Sequence, residues 1–504
     1  MIQLVAASTM FQVVSLAAMV DAGALPDADE RVLVLANGAQ QPELSPRIQD
    51  TAGFDALATR FDRVVDLAEL MWPRRPVQFS PRRDELVLWE RLLRSHWRLG
   101  TAPVQLVVES IQVNPAIALC RIFHDAPILV HSDGLMSYGP TRNKLSLPLR
   151  QRLDGIVYVD LVPGLEPLLL REHRPHRTAV GRDALAAAFA EAAAAAPDLP
   201  AAAVAADGPI ALVLGQYLAD LGILSVEEEA GLHRDMLRAA RNRGARTVVF
   251  KPHPSSRPPV ARRLAGEAGD LGLGFVLLDS PVLAETAIAK LRPDVVVSCF
   301  STALATARYV FGIECEAVGT ELLLERLTPY ENSNRIPVTL IDALLVRSVP
   351  APAEDPAGTD GQLQRLVEAV AYCMQAKQLP QLRATAAEFL RMGLPQQARY
   401  FRRRRLAALD LPLGDPSCGF GGEEPGTEPS SPSRPAPAGP SPTGQRVPPA
   451  RAARLHPRAL LRIGRAGRRR LRRLATLRRW ETLGRWETLG TRLRPEHHDA
   501  RGAE

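Results

Sequence analysis

The chain has 504 residues, five cysteines, 62 basic against 55 acidic side chains and a formal net charge of +7. That length exceeds one ordinary hydrophobic core and sets two domains plus extensions as the expectation, while the scattered cysteines (Cys120, Cys299, Cys315, Cys373, Cys418), with no Cys-x-x-Cys pair, exclude a zinc knuckle or disulfide scaffold and fit a reducing, cytoplasmic setting. Sixteen arginines against five acids fall between Arg451 and Glu504, a net of +11, so +7 less +11 leaves −4 for the first 450 residues, and the basic character belongs to the tail.

Ile2 to Ala7 is a short apolar run that reads as a buried strand, and Ser8 or Thr9 can cap the apolar helix that follows and stops near Gly23. No basic residues precede this stretch and it runs directly into Asp21 and a second strand pattern. It is therefore read as strand and helix rather than signal peptide, and no segment is counted as spanning a membrane. Arg31 to Ala36 is the next strand, completing a βαβ unit. Helical patterns follow at Gly53 to Ala58 and Asp84 to Trp97, with strands at Val104 to Val108, Ala126 to His131 and Gly155 to Val159. This alternation predicts a mostly parallel α/β domain over residues 1–180.

An alanine-rich stretch interrupted by Pro197 and Pro200 marks a connector at 181–206. A second alternating pattern then begins, with strands at Ile210 to Gly215, Thr247 to Phe250, Phe275 to Leu278 and Asp294 to Ser298. Helices are expected at Glu227 to Arg243, from Val260, at Leu283 to Lys290 and from Thr302 to Val310, and closing helices at Gly361 to Cys373 and Leu382 to Arg404 complete a second domain over 207–410. Two Rossmann-like halves facing across a cleft make the GT-B arrangement, an outline that flavin and nucleotide enzymes share. No Gly-x-Gly-x-x-Gly follows any strand, which weighs against a dinucleotide cofactor. Residues 411–450 are rich in proline, serine, glycine and glutamate with almost nothing to bury, and read as a disordered linker.

Three short stretches at strand ends carry candidate chemistry. Lys251-Pro-His-Pro-Ser-Ser follows the strand ending at Phe250, where ligands bind in open parallel sheets. Its prolines restrict the backbone around His253, and an imidazole beside a lysine and two hydroxyls suits a phosphate; alone, the hexapeptide fits a surface turn equally well. Asp133-Gly134 follows the strand ending near His131 and can aim a carboxylate into the cleft to accept a hydroxyl proton, although an Asp-Gly pair alone is more often an ordinary turn. Ser301-Thr302 opens a helix, where hydroxyls and free N–H groups suit an anion or merely cap the helix.

In this order, Ser132-Asp133-Gly134, His253-Pro254 and Ser301-Thr302 resemble the acidic-Gly, His-Pro and Ser/Thr motifs of bacterial GT-B sialyltransferases. Gly134-Leu-Met-Ser-Tyr-Gly-Pro-Thr-Arg, Leu214-Gly-Gln-Tyr-Leu and Leu327-Thr-Pro-Tyr-Glu-Asn-Ser-Asn-Arg-Ile-Pro more specifically resemble the bacterial alpha-2,8-polysialyltransferase family. The resemblance covers roughly residues 1–410. It implies transfer of a sialic-acid-type sugar from a CMP-linked donor, as co-substrate, to a glycan acceptor, with inversion, no cofactor and no metal. Asp133 would be the general base, and His253 would contact the donor phosphate and assist departure of CMP. Ser301 and Thr302 would hold the same phosphate, Glu285 would grip the cytidine, and Gly215 and Gln216 would line the cleft, with Lys251 and Pro254 in the donor loop. Ser132 stands where the family commonly has a second acid, which leaves Asp133 the only carboxylate in its motif.

No Asp-x-Asp pair lies where a Mg²⁺-dependent alternative would need it. In the tail, 451–504, arginines recur at Arg454, Arg458, Arg462, Arg465 and Arg469 with leucines on another face, and Trp480 and Trp486 sit in a duplicated Arg-Trp-Glu-Thr-Leu-Gly. That pattern fits an anionic membrane surface at the inner face of the plasma membrane; a nucleic-acid or other polyanion contact is the disfavoured competitor. Two other readings of the body stay open: a non-enzymatic surface-polymer assembly protein with a decayed cleft, and a GT-B enzyme using a different nucleotide sugar.

Overall fold

The computed structural model describes residues 1–38, 47–109, 111–200, 203, 208–253, 259–354, 361–392 and 395–412, all within one unit, Met1–Gly421. The basic tail, nearly all of the linker, and Pro254, Ser255 and Ser256 lie outside the described residues.

Strand β1 (Ile2–Ala7) is buried along its whole length, as a parallel strand covered by helices on both faces must be. It pairs in parallel with β2 (Glu30–Leu35) and β4 (Val104–Glu109). Together with β3 (Arg63–Asp66), β5 (Ile128–Ser132), β6 (Leu153–Val159) and β7 (His176–Val180) they form a seven-stranded sheet, in the order β3-β2-β1-β4-β5-β6-β7. The second sheet has five parallel strands, β8 (Ile210–Leu214), β9 (Thr247–Lys251), β10 (Gly274–Leu277), β11 (Val295–Ser298) and β12 (Glu314–Ala317), in the order β10-β9-β8-β11-β12. In each sheet the strand order reverses beside the first strand, and the crevice beyond the carboxyl ends at such a reversal is where open α/β sheets bind ligands. The expected α/β architecture of two Rossmann-like halves is therefore the observed one.

Between the sheets runs the alanine-rich helix Arg182–Ala194. Small side chains let it approach its neighbours closely: a Cβ on Gly53, which sits at φ +86°, would fall 2.7 Å from Ala192 Cα. Its Phe189 ring lies 5.8 Å from Phe11 in the first half and 5.9 Å from Phe311 in the second. The helix Gln362–Gln375 reaches back to the first half, where Glu368 pairs with Arg171 and Gln364 Oε1 accepts from Glu166 N–H at 2.9 Å. The single helix expected from Leu382 to Arg404 is instead two, Arg383–Arg391 and Arg403–Ala408. Gly393 and Pro395 lie between them in the sequence, and both residue types disfavour a continuous helix. Among the described residues no helix is long and apolar enough to cross a membrane.

Candidate active site

Strand β5 delivers Asp133 to the cleft and a hydroxyl chain fixes the turn beyond it. Ser137 Oγ donates to the Gly134 carbonyl at 2.6 Å, so the 2.7 Å contact between Ser132 and Ser137 uses the Ser132 hydroxyl as donor. Ser132 is thus buried and committed to the turn, and the second acid absent from the motif is absent from a position whose side chain points into the protein.

Gly134 has an extended backbone that any residue adopts, so a side chain there would crowd its neighbour rather than strain φ. A Cβ there would lie 3.3 Å from Thr302 Oγ1, so the acidic motif of the first half and the hydroxyl motif of the second meet across the cleft. Ser301 caps the helix Thr302–Tyr309 by accepting from Ala303 N–H at 3.2 Å, which leaves Thr302 at its first position.

Asp133 shares its environment with two further carboxyls. Burial first, then the neighbouring Glu109 and Glu285, hold its carboxyl well above the ordinary aspartate range. Glu109 was not singled out in the sequence. It is the last residue of β4, in register with His131 of β5, accepts a hydrogen bond from the Gln12 side chain and lies in the field of Arg142; burial pushes its own carboxyl upward. The signal that could have found it is a lone acid ending the apolar run Val104 to Val108, at the strand beside the topological reversal. His131 is buried, donates from Nε2 to Ala6 O at 2.9 Å, and is lowered by burial to about 4, so it ties β5 to β1 as a neutral ring.

The opposite wall comes from β8, β9 and the helix Ala284–Leu291. Gly215 N–H donates to Lys251 O at 2.9 Å, and a Cβ on Gly215 would meet Phe250 Cζ at 2.9 Å, so glycine lets the two strand ends close together. That closure seats the His253 ring on Tyr217, centroids 4.1 Å apart. Burial and the adjacent Lys251 lower His253 to about 4, which makes it a neutral imidazole at neutral pH. Lys251 is itself buried, donates from Nζ to Ser280 O at 3.0 Å, and is lowered by burial to about 8 against the pull of Glu285. Glu285, buried in the first turn of its helix, is pushed up to about 7 by burial, with its own backbone N–H and Lys251 opposing. Gln216 Oε1 is buried without a hydrogen-bond partner among the described residues and is free to accept one. Pro254 lies outside the described residues; among the other eight, Asp133 and Lys251 both lie in the field of Glu285, His253 lies in that of Lys251, Gly215 bonds Lys251, and Thr302, after the cap Ser301, approaches the turn beyond Asp133.

The carboxyl cluster gives a pH prediction. The Glu109 charge raises Asp133, so Glu109→Gln lowers the Asp133 pKa, and the acid limb of a kcat/KM profile that requires ionised Asp133 moves to lower pH. An unmoved limb would separate Glu109 from the titrating group.

A family model described as alpha-2,8-polysialyltransferase (POLYST) matches residues 3–315. Comparison with curated proteins gives no match. Among solved structures, the putative UDP-N-acetylglucosamine 2-epimerase of Listeria monocytogenes is 11% identical, covering 63% of this chain and 78% of its own, at TM-score 0.37. The UDP co-structure of MnaA from S. aureus is 13% identical over 74% of this chain and 95% of its own, at 0.38. The GT-B domain of the sialyltransferase from Photobacterium damselae is 12% identical over 67% and 95%, at 0.35. These are weak likenesses of architecture. The family match is of another order, because it runs from β1 into β12 through both sheets and the cleft residues they carry, and it places this chain in the alpha-2,8-polysialyltransferase family, as a glycosyltransferase.

Proposed function

We propose that this chain moves a sialic acid, or a related nonulosonic acid, from a CMP-linked donor to a hydroxyl of a glycan acceptor, with inversion and without a metal. The observation that carries the proposal is the close approach of Gly134 to Thr302, whose Oγ1 would lie 3.3 Å from a Cβ on the glycine; it brings a carboxyl wall suited to a base near a wall suited to a phosphate. Asp133, ionised, takes the acceptor hydroxyl proton as that oxygen attacks the anomeric carbon. The bond from that carbon to the phosphate oxygen breaks on the opposite face, and CMP leaves with the bonding electrons. A desolvated carboxylate with a raised pKa is a stronger base than an exposed one, at the cost of a smaller ionised fraction at neutral pH.

Leaving-group stabilisation falls to the second half. His253, neutral in the free protein, donates an N–H to the phosphate; the phosphate charge would raise its pKa and offset Lys251. Ser301 and Thr302 offer hydroxyls at a helix start, where anions are favoured. Lys251 supplies positive charge from behind the loop, and preorganised groups of this kind supply much of the rate when the leaving group is already good. Glu285 and Gln216 are acceptors for the cytosine amino group, Gly215 keeps the floor open, and Pro254, which lies outside the described residues, belongs to the same donor motif. We assign the basic tail to an anionic membrane surface on the cytoplasmic side.

The test is the melting temperature of the full chain with CMP, UDP, GDP or ADP. Selective stabilisation by CMP is expected, since a ligand at a hundredfold excess over its Kd adds about 2.7 kcal/mol. Stabilisation by another nucleotide instead would overturn the donor, and none by any of them would favour a non-catalytic cleft.

A further inference from the structure

The helix Leu86–His96 carries apolar side chains on both faces. Its inner face is accounted for: Leu93 is buried, and Trp89 meets Phe79 edge-on at 4.8 Å. Helical periodicity places Val87, Leu88 and Leu92 on the outer side, where they are 61%, 67% and 42% exposed. Trp72, just beyond the helix Leu67–Met71, is 73% exposed, the most exposed large apolar side chain among the described residues. Both helices pack into the same core, which includes Met71, Phe79, Leu93 and Trp97. Single exposed apolar residues are ordinary, but four in one short stretch are not.

Charge decides what covers them. Residues 72–98 hold seven arginines and three acids, a net of +4, in a body of 450 residues that sums to −4. Arg82 and Arg94 pair with Glu85 and Glu90, whereas Arg74, Arg83, Arg91 and Arg98 are exposed and make no salt bridge among the described residues. A second copy of the chain docking about a two-fold axis would set these arginines against themselves, and the chain's own arginine-rich tail has the same sign. An anionic bilayer satisfies both halves of the surface: aromatic and aliphatic side chains enter the boundary between headgroups and acyl chains, and arginines meet lipid phosphates.

We propose that Trp72 and the outer face of the helix Leu86–His96 form a membrane-docking surface for anionic lipid, separate from the tail. A crossover helix runs from the carboxyl end of one strand to the amino end of the next, so the Leu86 end lies toward the cleft end of the first sheet. Docking there sets the mouth of the cleft beside the bilayer. The docking does not depend on which sugar is transferred.

The experiment sediments the full chain, tail included, with vesicles of phosphatidylglycerol and phosphatidylcholine or of phosphatidylcholine alone. The wild type is compared with the triple variant Trp72→Ser, Leu88→Ser, Leu92→Ser and with the double variant Arg74→Glu, Arg91→Glu. All the substituted side chains are exposed, so melting temperatures should match. Each variant is expected to lose about tenfold or more in partitioning onto the anionic vesicles, while the wild type binds the zwitterionic ones weakly. Undiminished binding by the triple variant would assign membrane contact to the tail alone and overturn the proposal. So would equal wild-type binding to both vesicle types, or a lipid-free wild-type dimer that the triple variant abolishes.

Discussion

Asp133→Asn lowers kcat by about 10²–10⁴-fold, the range expected when a general base is removed, while stabilisation by CMP persists or increases. The substitution keeps the shape of the side chain, so the turn fixed by Ser132 and Ser137 survives. Asparagine also mimics the protonated form that burial already favours, and the effect is therefore confined to the proton-accepting step. Removing a group that carries negative charge can only help a phosphate bind nearby. Glu109 stands close enough to raise Asp133 and is a candidate substitute base; any residual rate should vanish in the Asp133→Asn, Glu109→Gln double variant. Full turnover in the single variant would remove Asp133 from the mechanism.

His253→Ala lowers kcat/KM by about 10²–10³-fold, in line with the loss of one preorganised donor to developing negative charge, and abolishes stabilisation by CMP. Two losses combine here. The phosphate loses an N–H partner, and Tyr217 loses the tilted ring packed against it, which loosens the closure of β8 on β9 that Gly215 permits. His253→Asn retains an N–H donor and should recover part of the transfer rate but not the ring packing against Tyr217. Undiminished CMP stabilisation in both variants would place the phosphate elsewhere. Because burial and Lys251 lower the free imidazole to about 4 and a bound phosphate raises it, the wild-type donor affinity should hold or increase, and not fall, as pH is lowered through 6.5, where an exposed histidine titrates.

The strands legible in the sequence and those missed differ in a physical way. Every interior strand was expected, because a strand buried on both faces is a near-continuous apolar run, as in Ile2 to Ala7 or Val295 to Ser298. The three not expected, β3, β7 and β12, are all edge strands. Their sequences, Arg-Val-Val-Asp, His-Arg-Thr-Ala-Val and Glu-Cys-Glu-Ala, carry the charges that keep an exposed edge from pairing with another chain, and those charges erase the apolar signal. Likewise the short helices Ala116–Ile122, Thr320–Arg326 and Arg335–Ile341 are too brief to show helical periodicity.

In the site, residues carried by a local motif were legible and those joined by register were not. Asp133, His253 and Thr302 each sit at a strand end with a turn or capping residue beside them. Glu109 belongs with Asp133 only because β4 lies next to β5, a pairing that no local pattern encodes. The sequence marked Ser132 as a departure from the family pattern, and the fold shows what it does instead: its buried hydroxyl is engaged with Ser137 in the turn after Asp133.

The most direct test is transfer itself. The full chain is incubated with CMP-sialic acid and a fluorescent oligosaccharide acceptor in EDTA, with released CMP and the lengthened acceptor both quantified and the new linkage assigned by NMR. The account predicts one CMP per sugar transferred, inverted anomeric configuration and no loss of rate with EDTA. Absence of transfer from CMP-linked donors alongside transfer from a UDP- or GDP-sugar, or a rate that EDTA abolishes and Mg²⁺ restores, would contradict it.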